Sequence, residues 1–476
     1  MDRLDFFSPS VALGFNRYKV ILRLAIPTVL AMLSQSIVND VDVVYFSKLP
    51  CPYSSNAQAA LLPSLIMTWL FGGSLSALGV GTQALVARRY AEGERAAAGA
   101  VLSNASFFCI LAGALMSVAG VVLLPVMVRS MITVPEVQNV AIAYTRWRMF
   151  GVISMGWSMG IKAFFDGVGK THVHLVSAVV MNTVNIFLCW VLIFGHLGAP
   201  AMGAPGAGLS AFLSTWIGLG ILVVYALVER RDYHPCRASN ISPKVTWAIL
   251  KLSIPAALTT VVMMVGFGLF ARAVGRLDHS VVASQSLVAG RCGSTEAVNS
   301  AANTDIVEIL KLTFTACMAF GTSTATLIGQ SLGRRRPDEA RRWGWASVRL
   351  GIVLFGVVGL CEGALFTHSI IAFVSNSPAV RAAAVFPLRI MGLATPVIAI
   401  AMILSEGLFG AGETKFVALA QFLMIFGWLV PGAYIFGLAM HLSLNGVWIV
   451  AFVYVCLAAV TMSVKFARGR WTSIRL

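Results

Sequence analysis

The feature that most constrains this chain is a series of twelve continuous apolar stretches. They fall at about residues 18–47, 58–87, 98–128, 138–161, 173–195, 206–228, 246–275, 309–332, 344–367, 382–408, 416–438 and 444–464. Each is long enough to cross a bilayer, which takes about 20 apolar residues as a helix. In hydrocarbon the backbone must satisfy its own hydrogen bonds, so such runs fold as helices, and the short alternating strands of a membrane barrel are not seen. The expected fold is an all-α polytopic membrane protein with twelve transmembrane helices. Only 11% of the 476 residues are charged and 58% are hydrophobic, whereas a soluble domain is about one quarter charged. The first stretch is too long for a signal-peptide core and no small-residue cleavage site follows it, so it counts as a span.

The net charge of +16, from 35 Lys and Arg against 19 Asp and Glu, would suggest a nucleic-acid partner in a soluble protein. Its distribution points elsewhere. The loops on the side of the amino terminus carry 22 basic residues, the opposite side carries 6, and the rest lie within spans. Cytoplasmic loops are enriched in Lys and Arg, so both termini are expected in the cytoplasm. The cluster Arg334, Arg335, Arg336, Arg341 and Arg342 then reports orientation, the bilayer is the partner, and no nucleic acid is expected. The eight cysteines form no CxxC pair and mostly sit in apolar runs as small buried hydrophobes. Cys51 and Cys292 are the exception: both fall in loops on one expected side, where a bridge could join them.

The two halves of the chain resemble each other. Leu22-Arg23-Leu24-Ala25-Ile26-Pro27 opens span one, and Leu250-Lys251-Leu252-Ser253-Ile254-Pro255 opens span seven, 228 residues later. Arg148-Met149-Phe150-Gly151 in span four is echoed by Arg389-Ile390-Met391-Gly392 in span ten. Gly167-Val168-Gly169-Lys170-Thr171 is echoed by Gly410-Ala411-Gly412-Glu413-Thr414. The expected domains are an amino-terminal six-helix lobe over 1–228, a cytoplasmic linker over 229–245 and a carboxy-terminal six-helix lobe over 246–476. An even number of spans per repeat makes the repeats parallel, with a cleft between lobes whose rocking gives alternating access.

Charged and polar residues inside hydrocarbon are costly, so those that persist are candidates for function. At 100° per residue, Gln35, Asn39 and Asp42 in span one fall on one face. Asp42 lies about 22 Å along the helix from Pro27. A desolvated carboxylate there can take up a proton or bind a hard cation through oxygen. Asn182 and Asn185 share a face of span five, and Ser210 and Ser214 a face of span six, as further ligands or as ordinary interhelical hydrogen bonds. Gln35, Asn39, Asn182, Ser210 and Glu362 are the candidate lining of a substrate cavity. Pro27 and Pro255 each remove a helix hydrogen bond and are candidate hinges, or simple kinks. No P-loop, HExxH, GxSxG or CxxC framework is present, so an enzyme is not expected. Active movement of a solute would draw on an ion gradient.

Several motifs, taken in order, resemble the multidrug and toxic compound extrusion (MATE) transporters over essentially the whole chain. These are Pro27, Gln35 and Asp42 at their spacing, Gly81-Thr82-Gln83-Ala84-Leu85-Val86-Ala87-Arg88-Arg89-Tyr90, and Phe165-Asp166-Gly167-Val168-Gly169-Lys170-Thr171. Asn185 and Gly203-Ala204-Pro205-Gly206-Ala207-Gly208 complete the set. The resemblance implies a V-shaped pair of lobes that exports amphiphilic or cationic organic compounds in exchange for H⁺ or Na⁺, with no cofactor and as a monomer. It also implies an ion-coupling site at Asp42, with Asn185 as neighbouring ligand and Tyr144 as a lining group. The family pattern is incomplete here: Cys189 stands where relatives often have Asn or Asp, and Met263 and Ile398 stand where many have carboxylates. Two other readings remain open: a lipid-linked saccharide flippase, which would use Arg146, Arg148, Arg272 or Arg389 to hold pyrophosphate, and a non-transporting receptor or scaffold.

Overall fold

A computed structural model describes residues 15–49, 53–132, 135–228, 233, 241–285, 298–374, 378–440 and 442–474, which are helices and short connections with no strand among them. The first half contains α1 (Phe15–Ser47), α2 (Tyr53–Phe71), α3 (Ala77–Ala91), α4 (Arg95–Met131), α5 (Pro135–Phe150), α6 (Val152–Val168), α7 (His172–Phe194) and α8 (Ala204–Val228). The second contains α9 (Pro243–Gln285), α10 (Val298–Gly333), α11 (Pro337–Leu360), α12 (Thr367–Val374), α13 (Pro378–Leu393), α14 (Thr395–Ala411), α15 (Thr414–Met424) and α16 (Ser443–Arg468). Wider π-type turns over Cys361–Leu365, Ile425–Leu429 and Ala433–Ala439 interrupt the later helices.

Among the described residues, ten helical stretches are long and apolar enough to cross a membrane, and α13 with α14, bent by 53°, make an eleventh. The expected fourth span lies on α5 and α6. Each is too short to cross a bilayer alone, at 16 and 17 residues, and α5 carries Glu136, Arg146 and Arg148. Both broken spans break beside the repeated Arg-x-x-Gly segment. At the first, the Gly151 N–H donates to the Arg148 carbonyl at 3.0 Å, a tightened turn that ends α5. At the second, Pro396 has no N–H to continue the ladder and begins α14 as its second residue. Pro27 and Pro255, by contrast, lie inside unbroken helices, α1 and α9.

The helices form two compact units. One comprises Arg23–Ala257 with Gly329–Arg336; the other comprises Met1–Leu22, Leu258–Ile328 and Pro337–Arg475. In the first, Phe164, Phe165, Leu222 and Tyr233 are buried together. In the second, Phe466 and Trp471 are fully buried and stacked, with ring centroids 4.6 Å apart. Outward surfaces are apolar as well. On α4, Leu115, Val118, Val122 and Val126 recur at three- and four-residue spacing and are 63–68% exposed, a stripe that suits lipid rather than water. Cys109, Cys189 and Cys317 are free and buried, as small hydrophobes are. Cys51, Cys292 and most of 229–245 lie outside the described residues.

Candidate functional site

The charged focus of the first unit is Asp42, five residues before the end of α1 and 6% exposed. Burying a lone carboxylate at membrane depth is costly, and two residues of α5 offset that cost. Tyr144 donates its hydroxyl to Asp42 Oδ2 at 2.9 Å. Arg148 donates from Nη1 to the same oxygen at 3.4 Å and to the Tyr144 hydroxyl oxygen. Four residues separate Tyr144 from Arg148, so one helical turn stacks them on a single face of α5, and the guanidinium lies 5.4 Å from the tyrosine ring centre.

The other carboxylate oxygen faces α7. Cys189 Sγ lies 3.7 Å from Asp42 Oδ1 and 3.8 Å from Asn185 Oδ1, so its single S–H can serve either acceptor. Asn185 Nδ2 in turn donates to Ser214 Oγ on α8 at 3.2 Å. A polar chain therefore runs from α5 through α1 and α7 to α8 inside an apolar jacket of Phe46, Ala57, Tyr144, Ile193 and Ala207. Phe46 meets the Tyr144 ring edge to face at 5.7 Å and fixes its orientation. The close approach of α5 and α8 depends on Gly208, where a Cβ would stand 2.3 Å from the Tyr144 carbonyl oxygen.

Of the residues singled out in the sequence, Asp42, Tyr144 and Asn185 are thus joined, with Asn185 reaching the carboxylate by way of Cys189. Asn182 is one turn away on α7 and donates to Ser34 Oγ on α1 at 2.9 Å. Ser210 is fully buried, sits beside Cys189 and donates to the Gly206 carbonyl at 2.8 Å. Gln35 is half-buried on α1, and the side chain of Asn39 lies outside the described residues. Glu362 belongs to the other unit, on the π-type turn Cys361–Leu365, where Thr313 donates to its Oε1.

Sequence reasoning missed Arg148 as a partner of Asp42. In the sequence Arg148 stood out only as the repeat counterpart of Arg389 and as a candidate for holding pyrophosphate. The two differ in what they meet: Arg389 is exposed and lies 3.1 Å from His368 Nε2, with no carboxylate beside it among the described residues. At the repeat offsets, Phe270 stands for Asp42 and Val385 for Tyr144. Phe270 is 5% exposed and packs edge to face on Trp448 at 5.6 Å. The acid, phenol and guanidinium set of the first half therefore has no copy in the second. The signal for Arg148 was present as a cation one turn from a tyrosine within a membrane span.

Asp42 Oδ2 already accepts from a phenol and a guanidinium, its other oxygen faces a thiol, and a cation there would sit beside the positive charge of Arg148. No group of three or more His, Cys, Asp or Glu among the described residues is placed to hold a metal.

Comparison with known proteins places these features in context. The sequence profile of the MatE family matches residues 27–191 and 255–435, one match in each half of the chain. A probable multidrug resistance protein NorM of Thermotoga maritima is 24% identical over 469 residues, covering 95% of this chain and 93% of its own. The multidrug resistance protein PmpM of Pseudomonas aeruginosa is also 24% identical, covering 96% and 92%. Among solved structures, a multidrug resistance MATE family transporter of the MOP superfamily in an outward-facing conformation superposes with a TM-score of 0.81. It does so at 22% identity over 95% of both chains.

Proposed function

The chain belongs to the MatE family of membrane transporters, and on that premise we propose that it exports amphiphilic or cationic organic compounds in exchange for protons, with Asp42 as the coupling carboxylate. The observation that carries this reading is the buried Asp42, Tyr144 and Arg148 set, built in one half of the chain and absent from its repeat. An intramembrane ionisable group held by specific partners is a functional group by default.

The exchange follows from the chemistry of the pair. As a carboxylate, Asp42 ties α1 to α5 through Tyr144 and Arg148. A proton on Asp42 removes its charge, releases the guanidinium and loosens that tie. An organic cation and a proton then compete for one negative charge, and each stabilises a different arrangement of the helices, which is what makes the fluxes opposed. Sodium is the weaker candidate, because it needs several oxygen ligands and here would meet a thiol and a guanidinium. The six-helix lobes at 1–228 and 246–476, joined by 229–245, move as the two arms of an alternating-access cycle, with Pro27 and Pro255 as points of flexure. Gln35, Asn39, Asn182 and Ser210 contribute to the cavity that takes the solute. The protein works as a monomer in a bacterial inner membrane with both termini in the cytoplasm, the orientation that the basic loops favour.

The flippase reading is less favoured, since Arg148, one of the cations that would hold pyrophosphate, is already committed to Asp42. The test is export of a dye cation from energised cells. The wild type extrudes it, and Asp42→Asn, present in the membrane at the same level, does not. Unchanged export by that variant would overturn the proposal.

A further inference from the structure

A second constellation lies in the other unit, apart from the coupling cluster. On α11, Arg341, Trp345 and Arg349 recur every four residues and form one slowly winding stripe, rising about 12 Å from the first arginine to the last. With Arg342 beside them and Arg17 and Tyr18 from the start of α1, they line a cavity of about 210 Å³. That is smaller than the roughly 300–1,000 Å³ of pockets that enclose a drug-sized ligand, and suits a headgroup.

The cavity has rigid walls. Trp345 packs edge to face on Phe466 at 5.7 Å, and Phe466 stacks on Trp471. Trp471 is fully buried and donates its indole N–H to the Phe466 carbonyl at 2.9 Å. Gly469 ends α16 in the left-handed region at φ 68°, and a Cβ there would stand 1.8 Å from Arg341 Nη2, so the glycine leaves room for the guanidinium. Arg17 is braced over the Trp343 ring at 5.9 Å.

Four guanidinium groups thus converge with no carboxylate paired to any of them among the described residues, and the buried Nε of Arg341 has no hydrogen-bond partner. Such a group of like charges, with Arg17 and Arg341 half-buried and Arg342 and Arg349 exposed at the rim, calls for an anion, and guanidinium forks match phosphate oxygens in pairs. The surroundings identify the source of that phosphate. One turn beyond Arg349, Ile352 and Val353 flank the same stripe and are 39% and 64% exposed, an apolar track on which an acyl chain can lie. Tyr18 and Trp345 are the amphipathic side chains favoured at headgroup level. Basic pockets between membrane helices are a recognised form of anionic-lipid site. We propose that this cavity binds the phosphate headgroup of an anionic phospholipid from the leaflet on the amino-terminal side, with the lipid tail running along α11.

The test uses the full-length protein, equilibrated with vesicles of phosphatidylglycerol or of phosphatidylcholine, extracted gently, and weighed by native mass spectrometry. The wild type retains phosphatidylglycerol about tenfold better than phosphatidylcholine, and Lys244→Gln, an exposed basic residue elsewhere, retains it equally. Arg341→Gln and Arg17→Gln lie on different helices, so one remains informative if the other fails to fold; each lowers retention several-fold. Millimolar inorganic phosphate leaves the bound lipid in place. Equal retention of the two lipids by the wild type, undiminished retention in both folded variants, or displacement of the lipid by inorganic phosphate would each overturn the proposal.

Discussion

Removing the charges of Asp42 and Arg148 singly and then together is the sharpest probe of the cluster. The two groups are 3.4 Å apart, with side chains 8% and 16% exposed. At an effective dielectric of about 20, unit charges at that separation attract by about 5 kcal/mol, and residual screening reduces the usable coupling to about 2–4 kcal/mol. Asp42→Asn strands a buried guanidinium and is expected to cost about 3–5 kcal/mol. Arg148→Gln strands a carboxylate that Tyr144 and Cys189 still face, and is expected to cost somewhat less. The double variant strands neither charge, so its loss of stability is smaller than the sum of the two by about 2–4 kcal/mol. Denaturant unfolding of the four purified proteins in micelles, followed by tryptophan fluorescence, measures this directly. Losses that add to within about 0.5 kcal/mol would refute the pairing. Dye export is expected to be absent from Asp42→Asn and from the double variant, because the restored packing does not restore a protonatable group.

Four further outcomes follow from the same geometry. Tyr144→Phe removes a hydrogen bond to a charged acceptor and is expected to cost about 1.5–3 kcal/mol in the same unfolding assay, with slower export. Gly208→Ala drives a methyl against the Tyr144 carbonyl oxygen and is expected to cost about 1–3 kcal/mol. Gly220→Ala on the same helix meets nothing within 4 Å and is expected to be neutral or to stabilise by up to about 1 kcal/mol. Arg389→Gln, which breaks no ion pair with a carboxylate, is expected to leave dye export in cells near the wild-type rate.

Much of the fold could be read from the sequence because hydrocarbon imposes a single requirement, a long apolar helix, and composition reports it directly. The fourth span was legible as an apolar stretch, whereas its division into α5 and α6 was not. The 53° bend after Leu393 was not legible, since proline at the start of a helix and proline inside a continuing helix, as at Pro27 and Pro255, share the same local signal. In the site, Asp42 stood out because a carboxylate in an apolar run has few explanations. Its tie to Arg148 was hidden for a different reason. Periodicity shows which residues share a helix face, but not which helix that face meets, and the internal repeat made Arg148 and Arg389 look equivalent. Only packing separates them: one meets an acid from α1, and the other meets His368. Cys189 was likewise read as an absent oxygen ligand, whereas its thiol is the group that links Asp42 to Asn185.

The central claim, that Asp42 couples export to protons, is tested most directly by reconstituting the protein in vesicles and imposing either a pH gradient or a sodium gradient of equal size. A pH gradient is expected to drive uphill movement of a dye cation in the wild type but not in Asp42→Asn, and a sodium gradient to drive it in neither. Wild-type flux driven by sodium alone, or proton-driven flux that survives in Asp42→Asn, would contradict the account.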